Sequence, residues 1–377
     1  MSSRSRIALL ALALAACSTD VTAPAASDPL LHRTGDRTDG AVYTLSNSAA
    51  GNQVIAFRRA ANGSLTPAGS YATGGSGSGM GLGSQGAVVI TGNGRYLLAV
   101  NAGSDQLSSL AVGHDGALSV VSVVSSGGAM PISVTVDHDI VYVLNAGGTG
   151  NISGFRLSHM GALAALPGST RPLSGPATGP AQVLFDPSGD FLVVTEKNTN
   201  LIDTYRVDNR GYATGPTVNA SAGVTPFGFA FNRQGVLVVS EAAGGAPDAS
   251  TASSYTIRRD GTLRVITAAA PTTESSACWV AINGSGRFAY TANTGSASMS
   301  GFAVRHGRLT LLDANGRTGT TGGGPADAAF SIDSRYLYVR NGGSQSISIF
   351  AADNGDGSLA SLGTAALPPG AVGLAAR

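Results

Sequence analysis

From residue 41 onward the chain is a succession of short apolar runs, each closed by Gly, Asn, Asp or Pro, with helix signals nearly absent. Residues 181–219 show the unit. Residues 181–185 read as a strand, Asp186-Pro-Ser-Gly189 as a turn, and 191–195 as a second strand ending at Glu196. A third strand covers 201–207, and Asn209-Arg-Gly211 turns the chain into an outer strand near 217–219. The unit recurs seven times, about 50 residues apart. Its second strand ends at Asn47, Asn101, Asn145, Glu196, Glu241, Asn293 and Asn341, and its hairpin turns on Gly63, Gly116, Gly161, Gly211, Gly261, Gly307 and Gly357. Leu lies two residues after the hairpin Gly in every unit but the fourth, which has Ala213. Four short strands in a repeat of this length predict propeller blades.

The first unit begins at its second strand, residues 42–45, and residues 370–375 at the other end of the chain supply the missing inner strand. The expectation is therefore an all-β fold over residues 41–377: a seven-bladed β-propeller of four-stranded blades, closed by the C-terminal strand joining blade 1. Closure removes the open sheet edges that invite association. One face of such a ring carries the loops into strand one and out of strand two, and ligand sites are expected there, at the channel mouth. The tight turns and hairpins fall on the other face.

Composition changes this picture little. Only 12% of the 377 residues are charged and the net charge is +1, which disfavours nucleic acid as a partner because that needs clustered Lys and Arg. The first forty residues add an address. Arg4 and Arg6 precede an apolar run, 7–16, that is too short to span a bilayer of ~30 Å. It ends in Leu14-Ala15-Ala16-Cys17, which resembles the bacterial lipobox. That resemblance implies removal of a signal peptide (1–16), a lipid on Cys17 that partners the chain with a membrane, and export as a lipoprotein, with Ser18 favouring the outer membrane. Residues 17–40 read as a flexible tether. With Cys17 lipidated, Cys278 has no partner for a disulfide, and it reads as a packed small hydrophobe.

Candidate chemistry is sparse. His114, His138, His159 and His306 fall in turns on the face opposite the expected site, and His32 in the tether, so neither a His metal site nor a His-dependent nucleophile is expected. Gly81-Leu-Gly83-Ser-Gln-Gly86 matches a dinucleotide fingerprint, but a strand follows it where a helix is needed. The Gly-rich stretch 74–86 reads instead as a flexible loop over the mouth. No cofactor or metal is expected. The sharper signal is Glu196 and Glu241, carboxylates where five blades have Asn. They read as a general acid and base, as cation ligands, or as loop-bracing acceptors in place of Asn. Lys197, Glu274, Asp327, Gln182 and Trp279 are placed round the same opening as ligand-binding candidates.

Tyr142-Val-Leu-Asn145, Tyr290-Thr-Ala-Asn293 and Tyr338-Val-Arg-Asn341 resemble the Tyr-Val-Thr-Asn repeats of the bacterial seven-bladed lactonase-like propellers. The likeness covers residues 41–377. Relatives of that kind include 6-phosphogluconolactonases and carboxymuconate cyclases, so the resemblance implies chemistry on lactone rings without a redox cofactor. This chain departs from the family where strand one begins. It has Pro180-Ala181, Pro226-Phe227, Ala277-Cys278 and Pro325-Ala326 in place of Pro-His or Pro-Arg-His. Two functions are expected to compete: an envelope lipoprotein that binds a small polar ligand or an envelope protein, and a lactone hydrolase or cyclising isomerase working through Glu196 and Glu241.

Overall fold

The computed structural model of the chain describes residues 40–377; the leader, Cys17 and all but the last residue of the tether lie outside them. Seven antiparallel sheets follow one another, each of four strands in chain order, with the outer strand of blades three and six broken into two short pieces. The inner strands are Val372–Ala376, Val88–Ile90, Pro131–Asp137, Pro180–Phe185, Pro226–Phe231, Ala277–Ile282 and Pro325–Phe330. Each packs against the next, and the last against the first, so the blades form a closed ring. Closure uses the two ends of the chain: Gly40–Leu45 pairs with the C-terminal strand in the register Val42 to Ala376, Tyr43 to Ala375 and Leu45 to Val372. The seven-bladed, all-β architecture read from the repeat is thus the one observed.

Strand bounds differ from the sequence reading by a few residues at bulges. Every second strand is buried along its whole length or nearly so, because it is covered by a blade on either side. That explains why these strands read as continuous apolar runs and not as alternating ones. The fourth strands are largely exposed.

The repeat also welds neighbouring blades. Tyr142, Tyr290 and Tyr338 in the second strands donate their hydroxyls to the carbonyls of Gly211, Gly357 and Gly63 in the next blade, at 2.8, 2.7 and 2.9 Å. Ser109, Thr204 and Ser254 make the corresponding bonds to Gly161, Gly261 and Gly307. The hairpin glycines are therefore more than turns. Gly63 has φ +86, and a Cβ there would come within 2.4 Å of the Tyr336 ring. Only the junction between blades one and two lacks this bond among the described residues, and Tyr43 Oη is left without a partner.

Candidate functional site

The end of strand two is a bracing position. Asn101, Asn293 and Asn341 bond the serines of the following strand, and Asn145 bonds Ser126 O and Asn151. Asn47 departs from the pattern. Its strand stops at Leu45, and Asn47, with φ +51, instead bonds the Gly-rich loop at Ser78 and Met80.

Glu196 and Glu241 are fully buried and sit in the same bracing geometry as the asparagines. Glu196 accepts from Ser174 N (3.0 Å), Ser174 Oγ (2.5 Å) and Thr199 Oγ1 (2.6 Å). Glu241 accepts from Gly223 N (3.0 Å) and Thr251 Oγ1. Burial pushes the Glu241 carboxyl up, and its hydroxyl and amide donors oppose the rise. Beside Glu196 lies Asp203, a buried acid in the third strand. Burial first, then the charge of Glu196, pushes it up to about 8. Tyr205 Oη donates to Pro172 O at 2.8 Å.

The remaining acids are also committed. Glu274 accepts from Arg317 (3.1 and 3.2 Å) and from Ser298, and those contacts hold its carboxyl below the usual range against the cost of burial. Asp327 has φ +73 and accepts backbone N–H groups from Ala328 and Leu374, with a longer contact from Gly86 at 3.4 Å. Burial pushes it up to about 7, and Arg340 and those amides work against the rise. The four acids do not gather round one opening: Glu196, Glu241 and Glu274 are spent within their blade walls, and Asp327 on the axis. Among the described residues, no group of three or more His, Cys, Asp or Glu is placed to hold a metal ion.

The channel is occupied by the Gly-rich loop, which is tied down and not free. Gly77 N donates to Ser48 O, Gly79 N to Asn47 O, and Ser76 N to Ser104 Oγ. The loop then descends on the axis, where Gln85 spans it. Its backbone N–H bonds Ala181 O in blade four, its carbonyl accepts from Ser133 in blade three, and its amide bonds both sides of Val280 in blade six. Gln182 bridges blades four and five in the same manner, through the N–H and carbonyl of Phe229. Lys197 fastens the loop from above. Its ammonium donates to Gly83 O (2.8 Å) and Pro180 O (3.1 Å) and lies 4.7 Å from the centre of the Phe227 ring. Burial lowers its pKa to about 8. Phe227 in turn meets Trp279 edge to face at 4.7 Å.

Between this loop and blades six, seven and one is a cavity of about 320 Å³ at the mouth, lined by 81–84, Trp279, Ala326, 340–342, Gln345 and residues of the C-terminal approach such as Leu367 and Ala371. Of the sequence candidates, Trp279 reaches it and Lys197 holds its roof. Glu196, Glu241, Gln182, Glu274 and Asp327 do not line it. Arg340 does, and the sequence reading had passed over it. The signal was present in the repeat: the same position holds Val100, Leu144, Thr195, Ser240 and Ala292 in other blades. Arg340 is 8% exposed, and among the described residues its side chain makes no hydrogen bond and no ion pair. Burial lowers its pKa, which Asp327 partly offsets. Trp279 Nε1 and Asn341 Oδ1 also lack partners but are sealed within the packing, as is Asn145 Oδ1 in blade three.

Residues 42–166 and 180–374 match the family model "Lactonase, 7-bladed beta-propeller". The chain belongs to this family. Three solved structures that resemble it do so at low identity. A Bacteroides fragilis protein provisionally assigned as a 6-phosphogluconolactonase is 20% identical with TM-score 0.69, over 91% of this chain and 99% of the other. The Pseudomonas aeruginosa periplasmic gluconolactonase is 19% identical with TM-score 0.67, over 88% and 98%. A Lactobacillus plantarum protein is 17% identical with TM-score 0.73, over 90% and 99%. At such identities the likeness is one of fold. No curated protein matches the sequence.

Proposed function

We propose that this lactonase-family propeller binds a small polar ligand in the mouth cavity beneath the Gly-rich loop. One observation carries the reading. The cavity wall holds the guanidinium of Arg340, a charged side chain that makes no hydrogen bond and no ion pair among the described residues. Charges removed from water are otherwise paired in native proteins, so this one supports a ligand that pairs with it. The size, about 320 Å³, is at the small end of the range for small-molecule sites.

Family membership favours a second reading, hydrolysis or formation of a lactone ring. The cavity lining offers no carboxylate and no imidazole to serve as base, so binding is the better supported of the two. The test is calorimetric titration of the purified protein with sugars, sugar acids and their lactones, run beside a turnover assay. Saturable binding weakened about tenfold by Trp279→Phe and unchanged in Glu196→Gln and Glu241→Gln is expected, since only Trp279 borders the cavity. Lactone turnover abolished by either Glu substitution would replace this reading with the hydrolase.

We also propose, from the lipobox-like Leu14-Ala15-Ala16-Cys17 alone, that the protein is an envelope lipoprotein. Incorporation of a fatty-acid label in a bacterial host, lost in Cys17→Ser, is the expected result; a labelled Cys17→Ser variant would remove the anchor.

A further inference from the structure

The net charge of +1 hides an uneven distribution of arginine on the lower face of the ring, the face of the tight turns and hairpins. In blades five and six those connections carry Arg233 and Arg287 in the turns after strand one, Arg258 and Arg259 in one hairpin, and Arg305 and Arg308 on either side of the other. All six are exposed. Asp260 is the one acid among them, and its carboxylate accepts from Thr262 N and Oγ1 at 2.9 and 2.7 Å. Asp353 and Asp356, which border the strip in blade seven, are taken up by amides of their own hairpin. Arg305 and Arg308 stand directly opposite one another across the strand pair, an arrangement of like charges that destabilises the fold. Among the described residues, the side chains of Arg233, Arg259, Arg305 and Arg308 form no ion pair and donate no hydrogen bond. Nothing inside the molecule accounts for so concentrated a charge.

We propose that this strip is a docking surface for the anionic phospholipid headgroups of a membrane. It is independent of the mouth cavity and of any lipid on Cys17. The six guanidinium groups cap two adjacent blades on one face, so they meet a broad array of phosphates, with which arginine pairs through two N–H···O bonds. A second feature points the same way. Ile332, in the tight turn of neighbouring blade seven, is 79% exposed, more than any other large hydrophobic side chain among the described residues. An apolar side chain held out beside arginines can enter the acyl boundary while the charges stay at the phosphates. A soluble polyanion would offer Ile332 nothing to bury in. Gly40 pairs with Arg59 at the lower end of blade one, so the segment before residue 40 joins the propeller on this face too.

The test is flotation of residues 18–377, which keep the whole closed ring and lack Cys17, with phosphatidylcholine vesicles made with and without phosphatidylglycerol. Binding is expected only with phosphatidylglycerol, and it should fade as salt is raised to about 0.5 M. Arg305→Gln with Arg308→Gln should weaken it more than about tenfold, because each arginine near an anionic surface is worth about fivefold. Arg171→Gln with Arg210→Gln, the same change of charge elsewhere, should leave it within about twofold. The Tm of the Arg305→Gln, Arg308→Gln protein should equal or exceed that of wild type, since a contact between like charges is relieved. Ile332→Trp reports the docked state: its emission should move to the blue on phosphatidylglycerol vesicles, while wild type, with Trp279 buried, should not respond. Equal binding to vesicles without phosphatidylglycerol, or binding that survives Arg305→Gln with Arg308→Gln, would overturn the surface. Tighter binding of inorganic polyphosphate than of vesicles, with the Ile332→Trp emission unmoved, would overturn the membrane in favour of a soluble polyanion. Self-association lost in the same arginine variant, without vesicle binding, would make the partner a second copy, whose blades three and four present Asp139, Asp190 and Asp208 on this face.

Discussion

Asp203 shows how an exception in the repeat propagates. In blade four the bracing residue is Glu196 rather than Asn, and its charge falls beside a second acid that burial already disfavours as an anion. Asp203 therefore keeps its proton in the fold. In the unfolded chain it would lose that proton near pH 3.8, whereas in the fold it does so only near 8. The folded state binds more protons across that interval, so the stability supplied by protonated Asp203 is complete below the lower value and is lost as pH rises through the upper. Asp327, raised to about 7, acts in the same direction. Melting temperatures measured between pH 5 and 9 should fall with rising pH, and Asp203→Asn, which keeps the shape and cannot ionise, should flatten the slope. Parallel slopes for the two proteins would show that Asp203 is ionised in the fold.

At the scale of the element, the Gly-rich loop is the part whose composition misleads. Many glycines close together suggest freedom, yet at Gly77 the loop runs directly against backbone. A Cβ on Gly77 would meet the backbone of Asn47, and one on Gly103 the carbonyl of Gly77. These contacts close the loop onto blades one and two and set the roof of the mouth cavity. Gly77→Ala should lift that roof. Amide exchange at Gly77, Gly79 and Gly103 should accelerate while the second strands of the blades stay protected, and ligand affinity at the mouth should drop about tenfold or more. Unchanged protection at those three amides would mean the close approach is easily relaxed.

For the whole molecule, the ring was legible in the chain because each blade repeats the same physical solution. The hairpin Gly carbonyl is one half of an inter-blade bond, and a second-strand Tyr or a third-strand Ser or Thr of the preceding blade is the other, so these residues recur in step, about 50 residues apart. Closure was legible from a first unit short of a strand. The site was less so. Glu196 and Glu241 stood out as charges, but what decides their role is the set of donors that the intervening loops bring to them, and loop paths are not written in strand periodicity. Arg340 was hidden for the opposite reason, since it sits inside a repeat that otherwise looks regular.

Gln85 gives the molecule a last property. By bonding to inner strands on opposite sides of the ring it divides the axis into an upper chamber and a lower one, the latter of about 300 Å³. The propeller is thus a vessel with a floor and not a conduit. A ligand that entered at the mouth would leave by the same opening, beside the loop that Lys197 fastens.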